Sequence, residues 1–275
     1  AEALQGYRGM GPVRIGNQAH EHFQHDTYGN IILGAAPAFF DKRLFMNTGK
    51  AAFEHLEALG EQAWLLHDQP DAGLWELRSR SRIHTSSSLM CWVACDRLGK
   101  IAAHLGLPKR ATYWKERADI IRAKILERTW SEKRQSFVES FDGSTLDASV
   151  LLMGEVGFLP PQDPRFVATV ETLSATLGRG PFMLRYEEAD DFGVPEVGFN
   201  LCAFWRVDAL TRIGRKDEAR DLFEALLDAR NPLGLMSEDT SFATGEAWGN
   251  FPQTYSMAGI INGAMRLSRP WEEEL

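Results

Sequence analysis

Apolar residues return at three- and four-residue intervals in segment after segment of this chain, and each segment closes on Gly, Pro or Asn. Nine candidate helices follow, roughly over 17–38, 49–68, 84–105, 109–129, 146–156, 163–177, 196–213, 215–230 and 252–267. Typical stripes are Phe53, Leu56, Leu59, Ala63 and Leu66 in the second and Leu222, Phe223, Leu226 and Leu227 in the eighth. Only the stretch from Gln135 to Gly143 alternates in the manner of a strand, so at most one short β-hairpin is expected in an all-α fold. The segment 215–230 is charged on one face, whereas 196–213 carries Phe199, Leu201, Cys202, Phe204, Trp205, Val207 and Leu210 all round its axis. An inner layer and an outer ring of helices, a helical toroid, accounts for that contrast better than a short bundle. No Pro-, Gly- or Ser-rich linker breaks the pattern, so residues 1–275 are read as one domain.

With 38 acidic against 30 basic residues the net charge is −8, which repels a phosphate backbone or an anionic membrane and leaves neutral ligands open. No run of about 18 apolar residues is present to cross a bilayer. Cys91, Cys95 and Cys202 are an odd number in a chain too large to need staples, so buried thiols in a reducing, cytoplasmic setting are expected. His20, His22 and His25 do not share one helical face, and no metal or other cofactor is expected.

Two glutamates stand apart. Glu76 follows Trp75 after a Gly-containing loop, and Glu238 follows Ser237 in a similar setting. Hydrolysis of a glycosidic bond needs such a pair, one to protonate the leaving oxygen and one to deprotonate water. Flanked by Trp75 and Leu77, Glu76 is expected to lose hydration, as a general acid requires, while Glu238 stays ionised. A lone glutamate after tryptophan is otherwise a solvated loop residue. Gly-rich or aromatic loops at 6–17, 73–78 and 245–253 would gather at one mouth of a toroid, where bare backbone approaches a sugar and aromatic faces stack on it. No dinucleotide or Walker fingerprint follows a strand.

Four stretches, in order, carry a resemblance: Gly6-Tyr7-Arg8-Gly9 with Pro12-Val13-Arg14-Ile15-Gly16-Asn17; Gly73-Leu74-Trp75-Glu76-Leu77-Arg78; Met90-Cys91-Trp92-Val93-Ala94-Cys95-Asp96-Arg97; and Gly249-Asn250-Phe251-Pro252-Gln253-Thr254-Tyr255-Ser256. They resemble glycoside hydrolase family 15, the glucoamylase, glucodextranase and microbial trehalase family. The resemblance implies an (α/α)6 barrel and inverting exo-hydrolysis of α-glucosidic bonds in an α-glucan or trehalose. It places Glu76 on the general acid and Glu238 on the general base. It also puts Arg185 on a sugar-hydroxyl clamp, Arg8 and Trp75 at substrate contacts, Tyr255 beside the sugar, and Glu196 in a supporting position. Family members carry an earlier barrel stretch whose Trp-Pro-Arg-Asp-type motif grips the terminal glucose, and this sequence starts after it. About nine of twelve helices are therefore expected, with apolar wall left for a preceding segment or a second copy to cover. The chain alone is expected to turn over substrate weakly or not at all. A sugar-binding or interaction module without catalysis, built on a remnant barrel, is the competing reading.

Overall fold

The computed structural model describes residues 1–11, 13–44, 48–190 and 193–268. Among these the chain forms α1 (Asp26–Ala35), α2 (Pro37–Phe40), α3 (Lys50–Leu66), α4 (Thr85–His104), α5 (Pro108–Thr129), α6 (Leu152–Glu155), α7 (Pro164–Leu177), α8 (Asn200–Arg212), α9 (Lys216–Leu227) and α10 (Thr254–Leu267). Each of the nine expected segments contains one of these helices, with the first divided at Pro37. That first segment also starts late. Asn17 caps only a single 3₁₀ turn, Gln18–Glu21, and the α-helix begins at Asp26. Helix starts obey local chemistry: Asp163 accepts from the Arg165 amide ahead of Pro164, and Pro108 opens α5 where its missing N–H costs nothing.

The helices form two rows. The inner row runs α1, α4, the turn and short helix over 148–155, α8 and α10, each packed on the next. Outside it α3 lies on α1 and α4, α5 on α4, α7 on α8, and α9 on α8 and α10. Burial follows the rows: every residue of α4 from Thr85 to Cys95 is buried, whereas α3 buries only Phe53, Gly60 and Ala63. Two inner contacts depend on missing side chains. A Cβ on Gly29 of α1 would lie 2.0 Å from the Met90 carbonyl oxygen of α4, and one on Gly259 of α10 would lie 2.3 Å from the Phe204 ring of α8. The arrangement is an all-α toroid wall. On the two ends of the inner row, Ile31 of α1 and Ile261 and Met265 of α10 are exposed.

The expectation of at most one hairpin is corrected. Seven two-residue strands pair in three ladders: β1 (Trp130–Ser131) with β2 (Ser136–Phe137), β3 (Gly178–Arg179) with β4 (Phe182–Met183), and β5 (Gly198–Phe199), β6 (Asp239–Thr240) and β7 (Ala247–Trp248) in the order β5-β6-β7. Single antiparallel bridges, Asp71 to Arg82, His84 to Ser140 and Asp147 to Tyr186, continue the stitching. These ladders are too short to show an alternating pattern in sequence. Several of them tie together the loops that lead into the N-termini of α4, α8 and α10, making a belt at one mouth of the toroid.

Candidate active site at the belt

Glu76 lies on a loop fixed from both sides. The buried carboxylate of Asp71 accepts from the amides of His25 and Gly73 at 2.9 and 3.1 Å and from the Ser87 hydroxyl at 2.7 Å. Beyond it the Leu77 amide donates to the Ala72 carbonyl at 3.0 Å, and the Leu77 side chain is buried. Glu76 itself takes a left-handed conformation, φ 57°. A residue with a Cβ is held there only where its surroundings over-determine it. The backbone reversal turns the Glu76 side chain into solvent, so the expected loss of hydration is corrected: Glu76 is exposed in this chain.

Trp75 points inward instead. Its indole N–H donates to Asp147 Oδ2 at 2.7 Å, and its ring meets Tyr186, Phe199 and Trp205 at centroid distances of 6.0, 5.6 and 6.0 Å. The Arg185 guanidinium lies 6.0 Å from the Trp75 ring and 4.6 Å from that of Phe199. Its Nη2 donates to both carboxylate oxygens of Asp239, at 3.1 and 3.2 Å. Asp239 follows Glu238 directly, so Arg185 and Phe199 join the Trp75–Glu76 loop to the Glu238 strand. Burial pushes the Asp239 carboxyl up, with the Arg185 charge working against it.

Glu238 is clamped by backbone on both sides: its amide donates to the Asn250 carbonyl at 2.9 Å, and its carbonyl accepts from the Asn200 amide at 3.0 Å. Its Oε2 accepts from the Asn250 amide and from Asn250 Nδ2, each at 3.0 Å. The opposite wall is Gly249, where a Cβ would lie 2.6 Å from Oε2.

The remaining expected residues differ in exposure and in partners. Arg8 Nη2 is 2.6 Å from Glu246 Oε1, to which the Tyr7 hydroxyl also donates at 2.8 Å. Tyr7 packs edge-on to Trp248, the β7 residue opposite Asp239, so the glycine-rich opening loop rests on the belt. Tyr255 occupies the first turn of α10 and is 60% exposed, and Glu196 is exposed at the approach to β5. Away from these loops, Trp130 packs edge-on to Phe137 at 5.2 Å. All three cysteines are free and buried; burial pushes Cys95 up to about 12 and the other two thiols well above their ordinary value. No helix among the described residues is long and apolar enough to cross a membrane.

Asp147, Asn250 and Asp239 were not singled out by sequence. Asn250 sits inside the stretch Gly249–Ser256, and Asp147-Ala148-Ser149 has the form of a cap, but neither spacing reveals that one holds Glu238 and the other Trp75. The arrangement as a whole sets two carboxylates on loops of one belt, floored by aromatic rings and one arginine.

A likeness of fold extends to solved glycosidases. The structure titled "Glycosidase Wild Type" matches with a TM-score of 0.74 at 18% identity, over 92% of this chain and 69% of that one. A bacterial glucoamylase complexed with acarbose matches at 0.68 and 15% identity, over 89% of this chain and 41% of its own. In sequence the chain is 37% identical over 273 residues to a trehalase of Mycolicibacterium smegmatis and 31% identical over 271 residues to one of Thermoplasma volcanium. It covers 40% and 42% of those proteins' lengths, and they cover 98% and 96% of it. The profile of the glycosyl hydrolases family 15 matches residues 2–265, and the chain belongs to that family.

Proposed function

We propose that this chain carries the acid–base pair of an inverting exo-hydrolase of α-glucosidic bonds, with Glu76 as general acid and Glu238 as general base. The substrate class is an α-glucan or trehalose, and the names of the sequence relatives favour trehalose. The observation that carries the reading is the join between the two loops: Arg185 lies over Trp75 and binds Asp239, so both glutamates extend from one rigid floor. Glu238, fixed by two donors from Asn250, keeps a carboxylate oriented toward an incoming water. Trp75, Arg185, Arg8, Tyr255 and Glu196 line or support the sugar site in this reading, and the chemistry needs no cofactor. Buried free thiols fit a reducing, cytoplasmic compartment.

Because this chain alone is expected to turn over substrate weakly or not at all, the test is hydrolysis of trehalose and maltose by the complete enzyme, with the anomer of the first glucose followed by NMR. Glu76→Gln and Glu238→Gln are each expected to lose at least about a thousandfold in turnover, and the glucose attacked by water is expected to be released as β, so that trehalose gives α and β in equal amounts at first. Near-normal activity in either variant refutes the assignment. The exposure of Glu76 favours one second reading, a sugar-binding module without turnover. Calorimetric binding of acarbose or glucose with no product from trehalose or maltose would select it.

A further inference from the structure

We propose that Asp147 is a positioning residue for the general acid: its buried carboxylate anchors the Trp75 indole and so fixes the left-handed turn from which Glu76 leaves the loop. The inference rests on Glu76 being the proton donor, and concerns a residue 71 positions away from it in sequence that acts on Glu76 through Trp75.

Three observations carry it. Asp147 is 3% exposed and makes two divided contacts, Oδ2 to the Trp75 indole N–H at 2.7 Å and Oδ1 to the Ser149 amide at 2.7 Å. The second caps the 3₁₀ turn Ala148–Leu151, so one oxygen is tied to the inner row and the other to the catalytic loop. Second, Trp75 has no freedom to swing without losing this bond, because Tyr186, Phe199 and Trp205 surround its ring. Third, Glu76 sits between two inward anchors, the Trp75 indole and the buried Leu77, and holds φ 57° while its own side chain is exposed. The Asp71 network and the Leu77–Ala72 bond hold the two ends of the loop, and Trp75 is the side chain next to Glu76 that ties the strained turn to the inner row, so the geometry of the acid depends on that anchor. Burial pushes the Asp147 carboxyl up to about 6, against the hydrogen bonds from Ser149 and Trp75. A carboxyl retained at such a site without contact to solvent is consistent with a fixed structural task toward the loop.

Asp147→Asn separates the two contacts. Asparagine caps as well as aspartate, so its carbonyl oxygen keeps the Ser149 amide while its NH₂ faces the indole N–H and breaks that bond. Trp75→Phe removes the donor from the other side. Hydrogen exchange of the peptide spanning 72–78 is the readout, since it reports the turn whether or not substrate is turned over. Exchange there is expected to quicken about tenfold in Asp147→Asn and in Trp75→Phe, with α4 unchanged, and the double variant is expected to be no faster than Trp75→Phe alone. Unaltered exchange over 72–78 in both single variants overturns the proposal, as do effects that add in the double variant. Turnover of trehalose by Asp147→Asn should fall by about tenfold or more where the wild type is active. Failure of the underlying reading is seen separately: Glu76→Gln retaining activity removes the acid, and leaves the exchange result intact.

Discussion

Gly249 and Gly245 share a backbone conformation, φ 72°, and differ in what surrounds them. At Gly245 a Cβ would meet nothing within 4 Å; at Gly249 it would lie 2.6 Å from Glu238 Oε2, 2.9 Å from Glu238 Cβ and 3.1 Å from Asp239 Oδ2. Gly245→Ala therefore measures the cost of left-handed alanine alone, about 1 kcal/mol. Gly249→Ala carries that cost plus a conflict, since 2.6 Å is about 0.8 Å short of where ordinary contact begins. The carboxylate must turn away and give up both Asn250 donors. Because Glu238 is half-buried and water replaces part of each bond, about 1 kcal/mol apiece is a fair charge, giving about 3 kcal/mol in all. For a chain of this size the difference of about 2 kcal/mol between the variants corresponds to about 5 °C in melting temperature. Thermal unfolding followed by circular dichroism reads it directly. In an active preparation Gly249→Ala should also lose about a hundredfold in kcat as the base is misaligned. Equal melting shifts for the two variants would refute the argument that the empty space at Gly249 seats Glu238.

Three further outcomes follow from burial and charge. The Asp147 carboxyl, raised to about 6 from 3.8 by burial, favours the folded protonated form, so its stabilisation is complete below about pH 4 and gone above about pH 6. That is about 3 kcal/mol, so the melting temperature of Asp147→Asn relative to wild type should rise between pH 4 and pH 7; a constant difference contradicts it. Glu139 behaves oppositely. Burial raises it, but the neighbouring His84 ring, the hydrogen bond from Thr145 and the Arg82 charge outweigh burial and hold it at about 2, so its contribution is present above about pH 4.5 and lost as pH falls toward 2. Removing the cation in Arg82→Gln should cost about 1 kcal/mol in urea unfolding at pH 7, since the guanidinium is a third exposed and only one of several groups that lower Glu139, and less at pH 2.5, where a cost equal at both pH values would count against the pair. None of the three cysteines should react with Ellman's reagent in the native protein, and all three should in denaturant; rapid native labelling would contradict their burial.

Periodicity located the helices because each helix buries a continuous stripe, and the stripe is written in local sequence. It placed the first one too early because 17–25 is a polar run with three histidines that supports one capped turn and no more, with Phe23 left 79% exposed. The belt was illegible for a related reason: ladders of two residues carry no period, and their register is set by partners such as Tyr186 opposite Asp147, 39 positions apart in sequence. The site divides along the same line. Trp75-Glu76 and Ser237-Glu238 could be read because the chemistry-bearing residue sits beside its marker, whereas Asp147 and Asn250 act on partners that only folding supplies. The exposure of Glu76 sharpens the point. Its neighbours Trp75 and Leu77 are apolar and both turn inward, which under sequence reasoning promises a dry glutamate. In the fold their inward turn is what forces Glu76 outward, because a left-handed residue between two anchored side chains has only the solvent side left. Exposure at this position therefore follows from the turn, and the apolar flanks fix the direction of the side chain rather than dry it.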